Sequence, residues 1–87
     1  MAWTIEYSQR AAKALRKLDK PSAGRLMQAL EEISELEDPR ARGKGLTGSL
    51  AGLWRYRVGD YRIICDLINE ELVIVAVELG HRSAIYE

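Results

Sequence analysis

Residues 53–67 read Leu-Trp-Arg-Tyr-Arg-Val-Gly-Asp-Tyr-Arg-Ile-Ile-Cys-Asp-Leu, two runs rich in aromatic and β-branched residues split by Gly59-Asp60. A two-residue loop with glycine first is a strong antiparallel hairpin signal. Side chains alternate across a strand, so the turn decides which residues share a face. Val58 then pairs with Tyr61, and Arg57 lies directly opposite Arg62, with Arg55 on the same face. Trp54, Tyr56, Val58, Ile63 and Cys65 fall on the other face, the one predicted to be core. Like charges directly opposite each other destabilise a strand pair. Three arginines on one face therefore point to an anion, and arginine forks suit phosphate. The competing reading has these long side chains splayed into solvent or paired with Glu70, Glu71 and Glu78.

The remaining elements supply the apolar face with something to cover it. Residues 3–7 are aromatic and β-branched and predict a first strand. Ser8 is placed to cap a helix on which Ala11, Ala12, Leu15 and Leu18 recur at helical spacing. Pro21 suits the first turn of a second helix carrying Leu26, Leu30 and Ile33, predicted to run to about Glu37 before Asp38-Pro39 ends it. Residues 39–52, with four glycines and three cations, predict a mobile basic loop. Strands follow at 53–58, 61–67 and 72–79, with Asn69-Glu70 as a second turn. The predicted order is β-α-α-β-β-β. This is an α+β fold, a small antiparallel-type sheet with two N-terminal helices packed on one face, in a single domain spanning residues 1–87.

At 87 residues a second core has no room. One cysteine, Cys65, excludes an intramolecular disulfide, and with His81 as the only histidine a Cys/His zinc site is excluded too. No apolar run reaches the ~20 residues of a membrane span, and the N-terminus is no signal peptide, so a reducing, cytoplasmic location is expected. Thirteen Lys and Arg balance thirteen Asp and Glu. The charges are nevertheless sorted into blocks: residues 31–38 hold five acids and no cation, while residues 39–62 hold six cations against Asp60. A basic patch is compatible with a neutral chain.

Other motifs carry less. Gly43-Lys44-Gly45-Leu46-Thr47-Gly48 spells G-x-G-x-x-G, but a helix precedes it and a strand follows, the reverse of a dinucleotide site. Cys65 reads as inert packing. In the tail Gly80-His81-Arg82-Ser83-Ala84-Ile85-Tyr86-Glu87, two readings stay open. Tyr86 is a packing anchor or a catalyst, and His81 is a surface residue or a base.

The whole chain resembles the RelE family, within the RelE/ParE superfamily of bacterial and archaeal type II toxins. The resemblance runs through Ala-Leu-Arg-Lys-Leu at 14–18, the Gly-Leu-x-Gly-x-Leu-Ala-Gly-Leu-Trp-Arg-Tyr-Arg-Val stretch at 45–58, and Gly59-Asp60-Tyr61-Arg62-Ile63-Ile64. It ends at Gly80-His81-Arg82 with Tyr86. It implies an endoribonuclease that cuts mRNA in the ribosomal A site without a metal or other cofactor. A RelB-like antitoxin would neutralise it. Carried over residue by residue, the resemblance makes Arg57, Arg62, Arg82 and Tyr86 catalytic and Arg55 an RNA-binding hairpin cation; Lys44 of the basic loop and His81 of the tail are further candidate RNA-binding residues. The alternatives within the superfamily are a ParE-like DNA gyrase inhibitor and a catalytically inactive, antitoxin-binding homologue.

Overall fold

The structure, a computed structural model, describes residues 2–85. β1 (Thr4–Tyr7) leads through Ser8 into α1 (Gln9–Lys17). The Ser8 hydroxyl accepts from the Ala11 N–H at 3.0 Å and donates to the Val77 carbonyl at 2.9 Å, so one side chain caps the helix and ties it to the sheet. α2 (Lys20–Ser34) starts at Asp19, whose carboxylate accepts from the Ser22 N–H at 3.0 Å, with Pro21 in the first turn. It stops at Ser34, short of the predicted Glu37. The reason is a partner outside the helix: the Ser34 carbonyl accepts from the Trp3 N–H at 2.8 Å, where β1 begins.

The remaining strands are β2 (Lys44–Gly45), β3 (Trp54–Val58), β4 (Tyr61–Ile68) and β5 (Val73–His81), in sheet order β1-β5-β4-β3-β2. The sheet is mixed rather than all antiparallel: β1 pairs with β5 in parallel, from Thr4 opposite Val73 to Tyr7 opposite Ala76. Parallel neighbours need a long crossover, and here both helices and three strands lie between them. The hairpin has the predicted register, and φ is positive at Gly59 (59°) but not at Asp60, as in a type II′ turn. One irregularity interrupts the β4–β5 ladder. Ile64 faces Glu78 and Cys65 faces Ala76, so Val77 is the extra residue of a bulge.

Residues 39–52 form a folded strap, not the predicted loose loop. Two short 3₁₀ turns, Pro39–Ala41 and Gly48–Leu50, flank β2. The Tyr56 hydroxyl donates to the Pro39 carbonyl at 2.7 Å, and the Trp54 indole N–H donates to the Arg42 carbonyl at 2.7 Å. Arg40 donates to the Asn69 Oδ1 at 2.9 Å, its guanidinium 5.9 Å from the Trp54 ring centroid. The groups that pin the strap are distant in sequence, which is why composition alone reads it as loose.

Ala11, Leu26, Leu30 and Ile33 from the helices pack on Tyr56, Ile63, Cys65, Leu67, Ile74 and Ala76 of the sheet, with Trp54 and Val58 partly buried beside them. The predicted core face is the observed one. Burial pushes the Cys65 thiol up to about 12, with the neighbouring Asp66 charge adding to it. Burial likewise raises the Tyr56 hydroxyl well above its usual range. Below pH 9 the thiol is protonated in both folded and unfolded chains and contributes no pH dependence. Between 9.0 and about 12 only the unfolded chain releases that proton, so stability falls as pH rises through this window. Cys65 alone accounts for a slope of up to roughly 1.4 kcal/mol per pH unit. Denaturant titrations across this range should show the decline, and Cys65→Val should flatten it by about one proton. Identical slopes in the two proteins would remove Cys65 as the cause.

Candidate functional site

Strand register assembles a four-cation face. Lys44 of β2 lies opposite Arg55 of β3, Arg57 follows two residues along β3, and Arg62 of β4 lies opposite Arg57. Directly opposed residues have Cβ atoms about 5 Å apart, so these cations are close neighbours. Arg57 is exposed, and Arg55 and Arg62 are half-buried. Lys44 joins the group only because β2 forms, and β2 forms only because Gly43 lets the strap approach β3. Gly43 has φ +80°, and a Cβ there would lie 2.5 Å from the Arg55 carbonyl oxygen and 2.7 Å from the Trp54 Nε1. Gly43, Lys44, Arg55 and Arg57 line a concavity of about 430 Å³. Of the acids that sequence offered as neutralisers, Glu78 lies 3.5 Å from Arg10 of α1. Among the described residues no carboxylate is within ion-pair distance of Arg57.

The tail folds back onto this face. The Arg82 N–H donates to the Asp60 carbonyl at 2.7 Å, and its Nε lies 4.0 Å from the Asp60 carboxylate, which ties the tail to the hairpin turn. The Ala84 and Ile85 N–H groups donate to the His81 carbonyl. Gly80 is opposite Arg62, and a Cβ at Gly80 would meet the Ile85 Cδ1 at 3.2 Å. The buried Ile85 side chain thus covers Gly80 on the arginine side of the sheet. Tyr86 follows it and lies outside the described residues. His81 is not brought to the arginines. It is opposite Tyr61, with ring centroids 5.7 Å apart, and so projects on the side of Val58 and Tyr61. Its Nδ1 accepts from the Ser83 N–H at 3.2 Å and meets the Ser83 hydroxyl at 2.9 Å.

An array of guanidinium groups and one ammonium can hold a polyanion and stabilise extra charge on it. Guanidinium groups are poor proton shuttles near neutrality. No three His, Cys, Asp or Glu side chains among the described residues are grouped to hold a metal ion. No helix among them is long and apolar enough to cross a membrane.

Residues 5–86 match the ParE toxins of type II toxin–antitoxin systems (parDE). The chain belongs to that family. This ParE-family chain is 29% identical over 85 residues to the mRNA interferase toxin RelE of Escherichia coli K12, covering 95% of this chain and 86% of RelE. It is 29% identical over 87 residues to toxin RelG of Mycobacterium tuberculosis, covering 99% and 98% of the two. Among solved structures it superposes on a chain of the toxin–antitoxin complex RelBE2 from Mycobacterium tuberculosis with a TM-score of 0.86. That match has 25% identity and covers 95% of this chain and 94% of the other. The mixed five-stranded sheet with two helices is therefore the fold of this family's toxins.

Two substitutions separate the structural demands of the face from its charge. Gly43→Ala should destabilise by more than about 1 kcal/mol, because it adds both a positive-φ penalty and a backbone clash. A melting temperature equal to that of the parent would show that the strap does not need this close approach. Arg57→Thr should be neutral or stabilising by up to about 0.5 kcal/mol at low salt, since it removes a like-charge pair. That difference should shrink at high salt. A clear loss of stability in urea titrations would mean that Arg57 is a structural residue.

Proposed function

We propose that this chain is the toxin of a type II toxin–antitoxin pair and acts as a ribosome-dependent mRNA endoribonuclease, restrained by a RelB-like antitoxin. The observation that carries the reading is the direct opposition of Arg57 and Arg62, flanked by Arg55 and Lys44, on a face with no paired carboxylate at Arg57. Closely spaced guanidinium groups of this kind suit the oxygens of a phosphate. RelE, at 29% identity, bears the name of an mRNA interferase, and the RelBE2 structure is of a toxin with its antitoxin. Both support the same assignment.

The chemistry that suits this face needs no nucleophile from the protein. The RNA 2′-oxygen attacks the adjacent phosphorus as its proton leaves. The bond from phosphorus to the 5′-oxygen breaks, and that oxygen takes up a proton. The products are a 2′,3′-cyclic phosphate and a 5′-hydroxyl. Arg57, Arg62 and Arg82 stabilise the additional charge on phosphorus. Lys44 and Arg55 hold neighbouring phosphates, so the reacting atoms stay in line. The arginines leave proton transfer to another group, and Tyr86 is the side chain that we assign to it, acting as base or relaying through its hydroxyl. His81 binds RNA from the other side of the sheet edge. No step in this scheme runs through a metal.

The ParE description of the family favours one other reading, inhibition of DNA gyrase. Induced expression distinguishes the two: mRNA cut within codons, with no DNA-damage response, is the expected result. In single-turnover cleavage on programmed ribosomes, Arg62→Ala should abolish activity while the protein stays folded. Tyr86→Phe should cost on the order of 10²–10⁴ in rate, the range for a positioned acid or base. Full activity of Arg62→Ala, or a damage response without mRNA cleavage, would refute the endoribonuclease reading.

A further inference from the structure

β3 runs three residues past its short partner, since β2 pairs only with Trp54 and Arg55. On the helix side of this uncovered edge lies a second concavity, of about 370 Å³, lined by Arg25, Gln28 and Glu32 of α2, by Arg42 of the strap, and by Arg57 and Val58. Arg57 lines both this groove and the concavity on the arginine face, so its side chain stands between the two at the β3 edge. Three guanidinium groups here meet one carboxylate, Glu32, which lies 3.9 Å from Arg42. Val58 and Ala29, both half-buried, give the groove an apolar floor.

We infer that a single RNA strand passes from the arginine face over the β3 edge into this groove, where Arg25 and Arg42 bind the phosphates of nucleotides flanking the cleaved bond. The inference rests on the endoribonuclease reading above. Arginines bordering an apolar floor match the alternation of phosphates with ribose and base along a strand. The groove is a wedge between a helix and a sheet edge, too small for a duplex. Arg25 and Arg42 act only in binding: they sit beyond Arg57 and touch no reacting atom.

The test compares the full chain with Arg25→Gln/Arg42→Gln, both side chains being exposed. The probe is a fluorescent 2′-O-methyl RNA of about ten nucleotides, which cannot be cleaved, and matching melting temperatures serve as the fold control. The double variant should bind this RNA at least about tenfold more weakly. Its slope of log affinity against log salt should be shallower by about 1.4, from two lost phosphate contacts on a single strand. A four-nucleotide RNA, too short to reach the groove, should bind both proteins alike. Arg25→Lys/Arg42→Lys should retain the parental slope. In single-turnover cleavage on programmed ribosomes, the Gln variant should require more protein for half-maximal rate yet reach the parental rate at saturation. Unchanged affinity and slope for the ten-nucleotide RNA would overturn the groove assignment, and so would a loss confined to acidic peptides. Cleavage by the parent chain would then still support the endoribonuclease reading. If the parent cleaves no mRNA but the Gln variant loses RNA affinity and slope, that reading fails, the groove is an RNA site, and its place beside a cleaved bond is overturned.

Discussion

A slip of one residue at Gly59-Asp60 would put the two strands out of phase and turn either Arg62 or the pair Arg55 and Arg57 into the face now occupied by Tyr56, Ile63 and Cys65, beneath the helices. The cost of burying guanidinium groups beneath the helices makes that alternative inaccessible. The two-residue turn therefore does more than reverse the chain. It assigns the sheet an apolar side, on which α1 and α2 pack, and a cationic side that only the tail partly covers. The strap depends on the same register, because Trp54 and Tyr56 reach the carbonyls of Arg42 and Pro39 only from this arrangement. Lys44 then arrives opposite Arg55 as a consequence of the strap.

How much of this is legible from sequence follows from the range of the interactions. The hairpin, the helix cap at Ser8, the helix start at Pro21 and the three-arginine face are set by neighbours within a few residues, and each is readable. The parallel pairing of β1 with β5 joins residues 69 apart, and no local pattern encodes it. β2 is two residues long and contains a glycine, so it carries no strand signal of its own. Its existence depends on a tryptophan and a tyrosine a dozen or more residues later. Lys44 was identifiable as a basic loop residue, but its place opposite Arg55 was not. His81 sits in a motif that suggests company with Arg82, yet strand alternation sends it to the other side of the sheet.

The neutral net charge conceals a division of labour among the ion pairs. Asp38 lies near Arg40, Glu32 near Arg42, Asp60 near Arg82 and Glu78 near Arg10. These are exposed or half-buried contacts of 3.5–4.0 Å, each worth little to stability. Their effect is on the field rather than the fold. Asp38 and Glu32 place their charge beside the strap and Asp60 at the hairpin tip, while Glu78 of β5 shares the arginine face, opposite Ile64.

The unfinished edge of β3 also bears on how copies of the chain meet one another. Past Arg55 the strand presents backbone donors and acceptors with no strand alongside, the kind of border on which a second chain adds by sheet extension. Arg57 stands on that border. Two copies approaching edge to edge would bring like charges together, so the residue assigned above to phosphate also disfavours pairing of the chain with itself. A bound polyanion or concentrated salt cancels that repulsion. The same neutralisation that satisfies the face therefore leaves the edge unguarded, and the colloidal stability of the protein is coupled to what its cations hold.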